Sequence, residues 1–249
     1  MSGHSKWATI KHKKAAADAK RGKLFTRVIK ELTVAARTGG GDPDGNPRLR
    51  SAIAAAKTAN MPADNIQRAI AKGTGELPGV TYEDVTYEGY GPGGVAIIVE
   101  TLTDNKMRTT PEIRHVFSKH ECSLGEPHSV AWMFEKKGLL TVPCSAVGEE
   151  KLMELVLEAG ADDLEHDGDV YRVTTPPDAL HQVQAALERA AIAAGEASLV
   201  MEPKNTVALG GKKAQQCLRL LEHLQEQDDV QNVYANLEVD DEELESGVA

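Results

Sequence analysis

The sequence predicts an α+β protein, with a basic three-helix bundle at the N-terminus followed by two α/β sandwich segments. Three observations predict it. Apolar residues recur at helical spacing up to about Gly75, interrupted by glycine and proline clusters. From Glu76 the pattern turns to β-rich runs. Beyond Leu139, strand-like and helix-like runs follow in the order β-α-β-α-β, which suits a small split βαβ sandwich.

The first helix reads from about Lys11 to Arg37. At 100° per residue, Phe25, Val28, Ile29, Leu32, Ala35 and Ala36 share one sector, and Lys20, Lys23, Arg27, Lys30 and Arg37 collect on the opposite side. One face is apolar and the other cationic. Gly39-Gly40-Gly41 ends this helix, and Asp42-Pro43-Asp44-Gly45 makes the turn that follows. Asn46 before Pro47 reads as the N-cap and first residue of a second helix, which runs to about Ala59. Pro62 opens a third, with Ile66 and Ile70 facing inward, and Gly73-Thr74-Gly75 stops it.

Val80 to Glu88 and Val95 to Leu102 read as strands joined by a glycine-rich turn, Gly89 to Gly94. A helix is predicted over Asn105 to His120. Then come strand Leu139 to Val142, helix Gly148 to Ala159, strand Val170 to Thr174, helix Pro177 to Ala194 and strand Ser198 to Met201. Helix Lys212 to Gln227 and strand Asn232 to Val239 close the fold, and Asp240-Asp241-Glu242-Glu243 reads as a solvated tail.

The net charge of −10 conceals an asymmetry. Met1 to Gly75 holds 15 Lys plus Arg against 5 Asp plus Glu, while the remainder holds 13 against 33. A basic third attracts a polyanion, and the acidic remainder limits indiscriminate sticking. No stretch approaches the roughly 18 to 20 apolar residues of a membrane span. The polar start has no apolar run behind it, which argues against a secretory signal. Cys122, Cys144 and Cys217 are far apart and odd in number, so no disulfide framework or ordinary zinc finger is expected. The reading is a reducing cytoplasm.

The basic cluster is the leading candidate for function. Lys6, Lys11, Lys13, Lys14, Lys20, Arg21, Lys23, Arg27 and Lys30 crowd one stretch, with Trp7 and His12 among them, and Arg48, Arg50 and Lys57 extend the patch. Lysines beside phosphates displace condensed counterions, which supplies affinity that falls steeply with salt. Trp7 adds a face on which a base can stack, or else serves as a hydrophobic plug. The alternatives for the cluster are a solvated charged face, or a face docked on the chain's own acidic domains.

Other signals are weaker. Gly89 to Gly94 leads into a strand rather than a helix, so it is turn chemistry and not a phosphate loop. His115, His120, Cys122 and His128 match no common metal-ligand spacing. Asp104-Asn105 with Arg108 and Arg114 reads as a helix cap before it reads as a polar site. No nucleophile–base set stands out, so neither an enzyme nor a cofactor is expected.

Several blocks closely resemble the YebC/PmpR family. They are Gly3-His4-Ser5-Lys6-Trp7-Ala8-Thr9-Ile10-Lys11-His12-Lys13-Lys14, the segment Gly41 to Arg50, Ala59-Asn60-Met61-Pro62, Tyr87 to Gly94, Thr103-Asp104-Asn105 and Ser129 to Glu135. The resemblance covers essentially the whole chain. It implies a helical bundle (1–77) and two α/β domains, one inserted in the other. The outer domain would take 78–131 with 204–240, the ferredoxin-like insert 132–203, and an acidic tail 241–249. It also implies a DNA-binding transcriptional regulator, or a ribosome-associated translation factor on ribosomal RNA that relieves stalling at proline runs. One segment departs from the family pattern: His120-Glu121-Cys122 stands where an Asn-Gly-Gly-like turn is usual, and His128 replaces a small residue.

Three functions therefore compete. The first is a regulator on duplex DNA, although no helix-turn-helix reading signature is evident. The second is a translation factor whose basic arm lies on the RNA of the ribosome. The third is a scaffold whose basic bundle meets an acidic protein.

Overall fold

A computed structural model describes residues 18–195 and 197–239. The fold is α+β, with an N-terminal three-helix bundle and two α/β sandwich domains, one inserted in the other. Of the described residues, those before Glu135 and after Glu202 form one compact unit, and those from Glu135 to Glu202 form the second.

In the bundle, α1 (Asp18–Gly39), α2 (Pro47–Thr58) and α3 (Ala63–Thr74) enclose Leu32, Ala35, Ala36, Leu49, Ala56 and Ile66. Small side chains let the helices approach closely. At Gly73 a Cβ would sit 2.4 Å from the Thr33 carbonyl oxygen, so α1 and α3 cross where only glycine fits. Asn46 caps α2: its Oδ1 accepts from the Leu49 N–H at 3.1 Å, and its Nδ2 donates to the carbonyls of Ala35 (2.7 Å) and Gly40 (2.8 Å). One buried amide thus ends α1 and starts α2. The predicted start of α1 near Lys11 lies outside the described residues, as does the acidic tail.

The outer α/β domain opens with the hairpin of β1 (Glu83–Tyr90) and β2 (Ala96–Thr103), paired from Glu83↔Thr103 to Tyr90↔Ala96. Its loop carries Gly93 and Gly94 at φ 73° and 82°, the left-handed region that glycine enters freely. α4 (Lys106–Lys119) leads to β3 (Ser123–Leu124). After the insert come β8 (Val207–Ala208), α7 (Gly211–Gln225), β9 (Val230–Ala235) and β10 (Leu237–Glu238). The sheet runs β3-β1-β2-β9, and a core of Val99, Ile113, Phe117, Leu220, Leu221 and Val233 joins it to α4 and α7.

The last strand, expected as one run, is split at Asn236. Its Oδ1 accepts from the Ala96 N–H at 2.7 Å while its carbonyl accepts from Val207 at 2.7 Å, so the chain leaves one sheet and begins the parallel β8–β10 pair.

The insert is β4 (Phe134–Pro143), α5 (Glu149–Glu158), β5 (Asp163–Asp167), β6 (Val170–Thr175), α6 (Leu180–Arg189) and β7 (Ala197–Pro203), in sheet order β5-β6-β4-β7. This is the βαββαβ split arrangement. β5 corrects the sequence reading, which had no strand there. Its run Asp163-Leu164-Glu165-His166-Asp167 is too acidic to signal a strand, and pairing with β6 overrides local propensity. α6 is also shorter than expected: it stops at Arg189, and Ala191 turns to φ 55°.

Candidate nucleic-acid interface

Helical spacing puts Lys23, Arg27 and Lys30 on one face of α1, and that face meets the C-terminal end of α7. A helix C-terminus presents unpaired carbonyls and a partial negative charge, so it favours cations. Lys23 Nζ donates to the Glu226 carbonyl at 2.8 Å, and the Arg27 guanidinium donates to the Gln225 carbonyl. Lys30 Nζ donates to the Asp228 carbonyl at 3.1 Å and to Asp229 Oδ1 at 2.6 Å. It also lies 5.7 Å from the centre of the Tyr82 ring. Two cations of α1 therefore cap α7, and the third binds the turn that follows it.

The joint is centred on Asp229. Its second oxygen accepts from Arg108 at 2.6 Å, Thr109 at 2.7 Å and Thr103 at 3.2 Å. Burial alone would raise this carboxyl, but hydrogen bonds from Lys30, Arg108 and Thr109 outweigh it and bring the pKa down to about 2. The same contacts act on their partners. Hydrogen bonding and charge from Asp229 raise the Arg108 pKa, and burial, with Asp104 and Asp229 nearby, raises that of Tyr82.

A cleft of ≈ 680 Å³ opens here, with Lys23, Lys30 and Arg108 facing Asp104, Glu112, Glu226, Asp228 and Asp229. With more carboxylates than cations, it is an ion-paired joint rather than an anion trough. Lys30 must accordingly be taken off the solvent-facing cationic set. It is 7% exposed, and its ammonium is committed to Asp229.

The other candidate residues fall into three groups. Arg48 is spent on carboxylates: it reaches Glu31 at 2.6 Å and Asp84 at 3.0 Å, and the Glu31 hydrogen bond leads in raising its pKa against burial. Arg50 is exposed and donates to the carbonyls of Pro43 (3.0 Å) and Asp44 (3.4 Å), and Lys57 is exposed in the last turn of α2. Lys20 and Arg21 fall at the start of α1, their side chains outside the described set, and Lys6, Trp7, Lys11, His12, Lys13 and Lys14 lie wholly outside it.

The sequence reading passed over three cations as site residues: Arg37, Arg68 and Lys72. All are exposed, and no described carboxylate lies within ion-pair distance of them. Gly73 packs on the backbone of Thr33 and Arg37, which brings the last turns of α1 and α3 to one end of the bundle. The i,i+4 spacing of Arg68 and Lys72 was the available signal.

The Cys/His residues gather differently from their order in sequence. His120 Nε2 lies 2.7 Å from His223 Nδ1, and burial followed by the His223 charge lowers the pKa of His120. Among the described residues no three His, Cys, Asp or Glu side chains are placed to hold a metal. Asn105 does cap α4, accepting from the Arg108 N–H at 3.2 Å. No described helix is long and apolar enough to cross a membrane.

Two family models match the chain: the TACO1/YebC N-terminal domain over residues 5–76, and the TACO1/YebC second and third domain over residues 82–237. A probable transcriptional regulatory protein of Desulfatibacillum aliphaticivorans is 59% identical over 244 residues, covering 98% of this chain and 99% of that protein. One of the same description from Acidobacterium capsulatum is 59% identical over 247 residues, covering 99% of this chain and 100% of its own. Among solved structures, a conserved hypothetical protein from Aquifex aeolicus superposes with a TM-score of 0.87 at 49% identity, covering 95% of this chain and 98% of that one.

Proposed function

This chain belongs to the TACO1/YebC family, and from that premise we propose that it is a non-enzymatic, cytoplasmic regulator of gene expression that acts by binding nucleic acid through its basic N-terminal third. The similarity to proteins described as probable transcriptional regulators supports a regulatory role. The observation that carries nucleic-acid binding is the charge division, 15 basic against 5 acidic residues up to Gly75 and the reverse imbalance beyond.

The joint at Asp229 sharpens this reading. Lys23, Arg27 and Lys30 anchor α1 to the outer α/β domain, which leaves phosphate contact to Lys6, Lys11, Lys13, Lys14, Lys20 and Arg21 and to the exposed Arg37, Arg50, Lys57, Arg68 and Lys72. A transcriptional role, the one the relatives' description names, would have duplex DNA as its target. A translation factor on ribosomal RNA is the second reading, and the exposed indole of Trp132 supports it, because unpaired bases stack on such rings while duplex bases are already stacked.

Co-sedimentation of the full-length protein with ribosomes, in excess random duplex DNA at near-physiological salt, tests both. Capture by DNA supports the transcriptional reading and retention on ribosomes the translational one. Failure to bind either overturns the proposal.

A further inference from the structure

The loop after β3 is organised around one buried carboxylate. Glu88, 6% exposed, accepts backbone N–H groups from His128, Val130 and Ala131, each at 2.7 Å, and its own carbonyl accepts from Gly125 at 2.7 Å. Converging N–H donors form a concave nest that holds an anion firmly. His128 is bent to φ 68°, a conformation that a non-glycine residue adopts when its surroundings enforce it.

Two rings hang from this fixed loop. Trp132 Nε1 and Tyr90 Oη both donate to the Ser129 carbonyl, each at 3.0 Å. Their polar edges are satisfied and the side chains stay accessible: Trp132 is 64% exposed and Tyr90 36%. Neither ring joins the core of its domain. Lys204 completes the group, donating its Nζ to the Trp132 carbonyl at 3.2 Å, and no described carboxylate lies within ion-pair distance of it.

An indole held by its N–H and largely exposed is prepared for stacking, because less ring motion remains to be lost on binding. We propose that Trp132 and Tyr90 form a stacking platform for an unpaired nucleobase, with Lys204 meeting the neighbouring phosphate. The proposal rests on the nucleic-acid reading above and adds to it a preference for single-stranded or looped chains. Glu126 and Glu135 are exposed on the same stretch, so local charge is nearly balanced and the platform works through ring contact rather than counterion release.

The test uses the full chain carrying Trp7→Phe, so that Trp132 alone reports. A short single-stranded RNA and an abasic strand of equal length, with the same phosphates, are titrated against it. The platform predicts that the base-bearing strand changes Trp132 emission and the abasic strand does not. It also predicts that Trp132→Ala weakens the base-bearing strand by roughly 5- to 150-fold, leaving the abasic strand and the salt slope unchanged. The emission readout needs no change at Trp132 and stands even if the alanine variant misfolds.

Two strands that bind alike, with emission unmoved, overturn the platform and leave the charge-based reading intact. If neither strand binds the chain with Trp7 restored, both readings fall. Emission that responds to a proline-rich peptide but not to the RNA also overturns the nucleobase assignment.

Discussion

Lys30 and Asp229 form an ion pair at 2.6 Å inside the joint between the bundle and the outer α/β domain, with exposures of 7% and 4%. Removing water from both charges is costly, and the geometry offsets that cost by giving each further partners: two carbonyls for the lysine, and Arg108, Thr109 and Thr103 for the aspartate. Breaking such a pair from one side leaves a buried charge uncompensated. Lys30→Met is expected to cost about 3 to 5 kcal/mol in urea unfolding, and Lys30→Met with Asp229→Asn less than the two single losses together.

The same aspartate predicts an acid limb in stability. Its folded pKa of about 2 lies below the ordinary 3.8, so its contribution is complete above about pH 4 and disappears as pH falls through about 2. The contribution is roughly 2 kcal/mol. Glu88 is also shifted down, with three backbone N–H groups overcoming its burial, so wild type and Asp229→Asn are compared across pH 2 to 5 to isolate the Asp229 part. Parallel curves for the two proteins would exclude it.

Salt dependence separates free cations from spent ones. Lys11, Lys13 and Lys14 changed together to Glu should weaken nucleic-acid binding and flatten the plot of log affinity against log salt by roughly 2 to 3 units of slope. Arg68→Gln with Lys72→Gln should flatten it by roughly 1 to 2. Arg48→Met should leave the slope alone, because Glu31 and Asp84 already neutralise that guanidinium. Its stability cost, read by thermal unfolding, is expected to stay within about 1 kcal/mol since the group is part-exposed.

Glu88→Gln removes the charge from three hydrogen bonds and offers one acceptor oxygen in place of two. Amide exchange at His128, Val130 and Ala131 should accelerate, with a loss of about 2 to 3 kcal/mol in local protection. Protection in α5 and β6 of the insert should not change.

Gly73→Ala tests the helix crossing in the bundle. The added Cβ would meet the Thr33 carbonyl at 2.4 Å, so a loss of about 1 to 3 kcal/mol is expected even though alanine is the better helix former. A stabilised protein in thermal unfolding would show that the crossing is looser than described.

Much of this protein was determined by the sequence alone, because the signals are local. Glycine runs and Asn46-Pro47 delimit the helices, Gly93 and Gly94 turn the β1–β2 hairpin, and the charge division separates a basic third from an acidic remainder. Only the tertiary structure decided which cations are available. The stripe Lys23, Arg27, Lys30 reads the same on a helical wheel whether it faces water, phosphate or a helix C-terminus, and Asp229, some 200 residues away, carries no sequence sign of being its partner. β5 stayed hidden for the same reason, since an acidic run becomes a strand only when β6 supplies its hydrogen bonds. Trp132 was legible as part of a motif, but its exposure depends on Ser129, Tyr90 and Glu88 meeting in space. Periodicity specifies which residues share a face, and only packing specifies what that face meets.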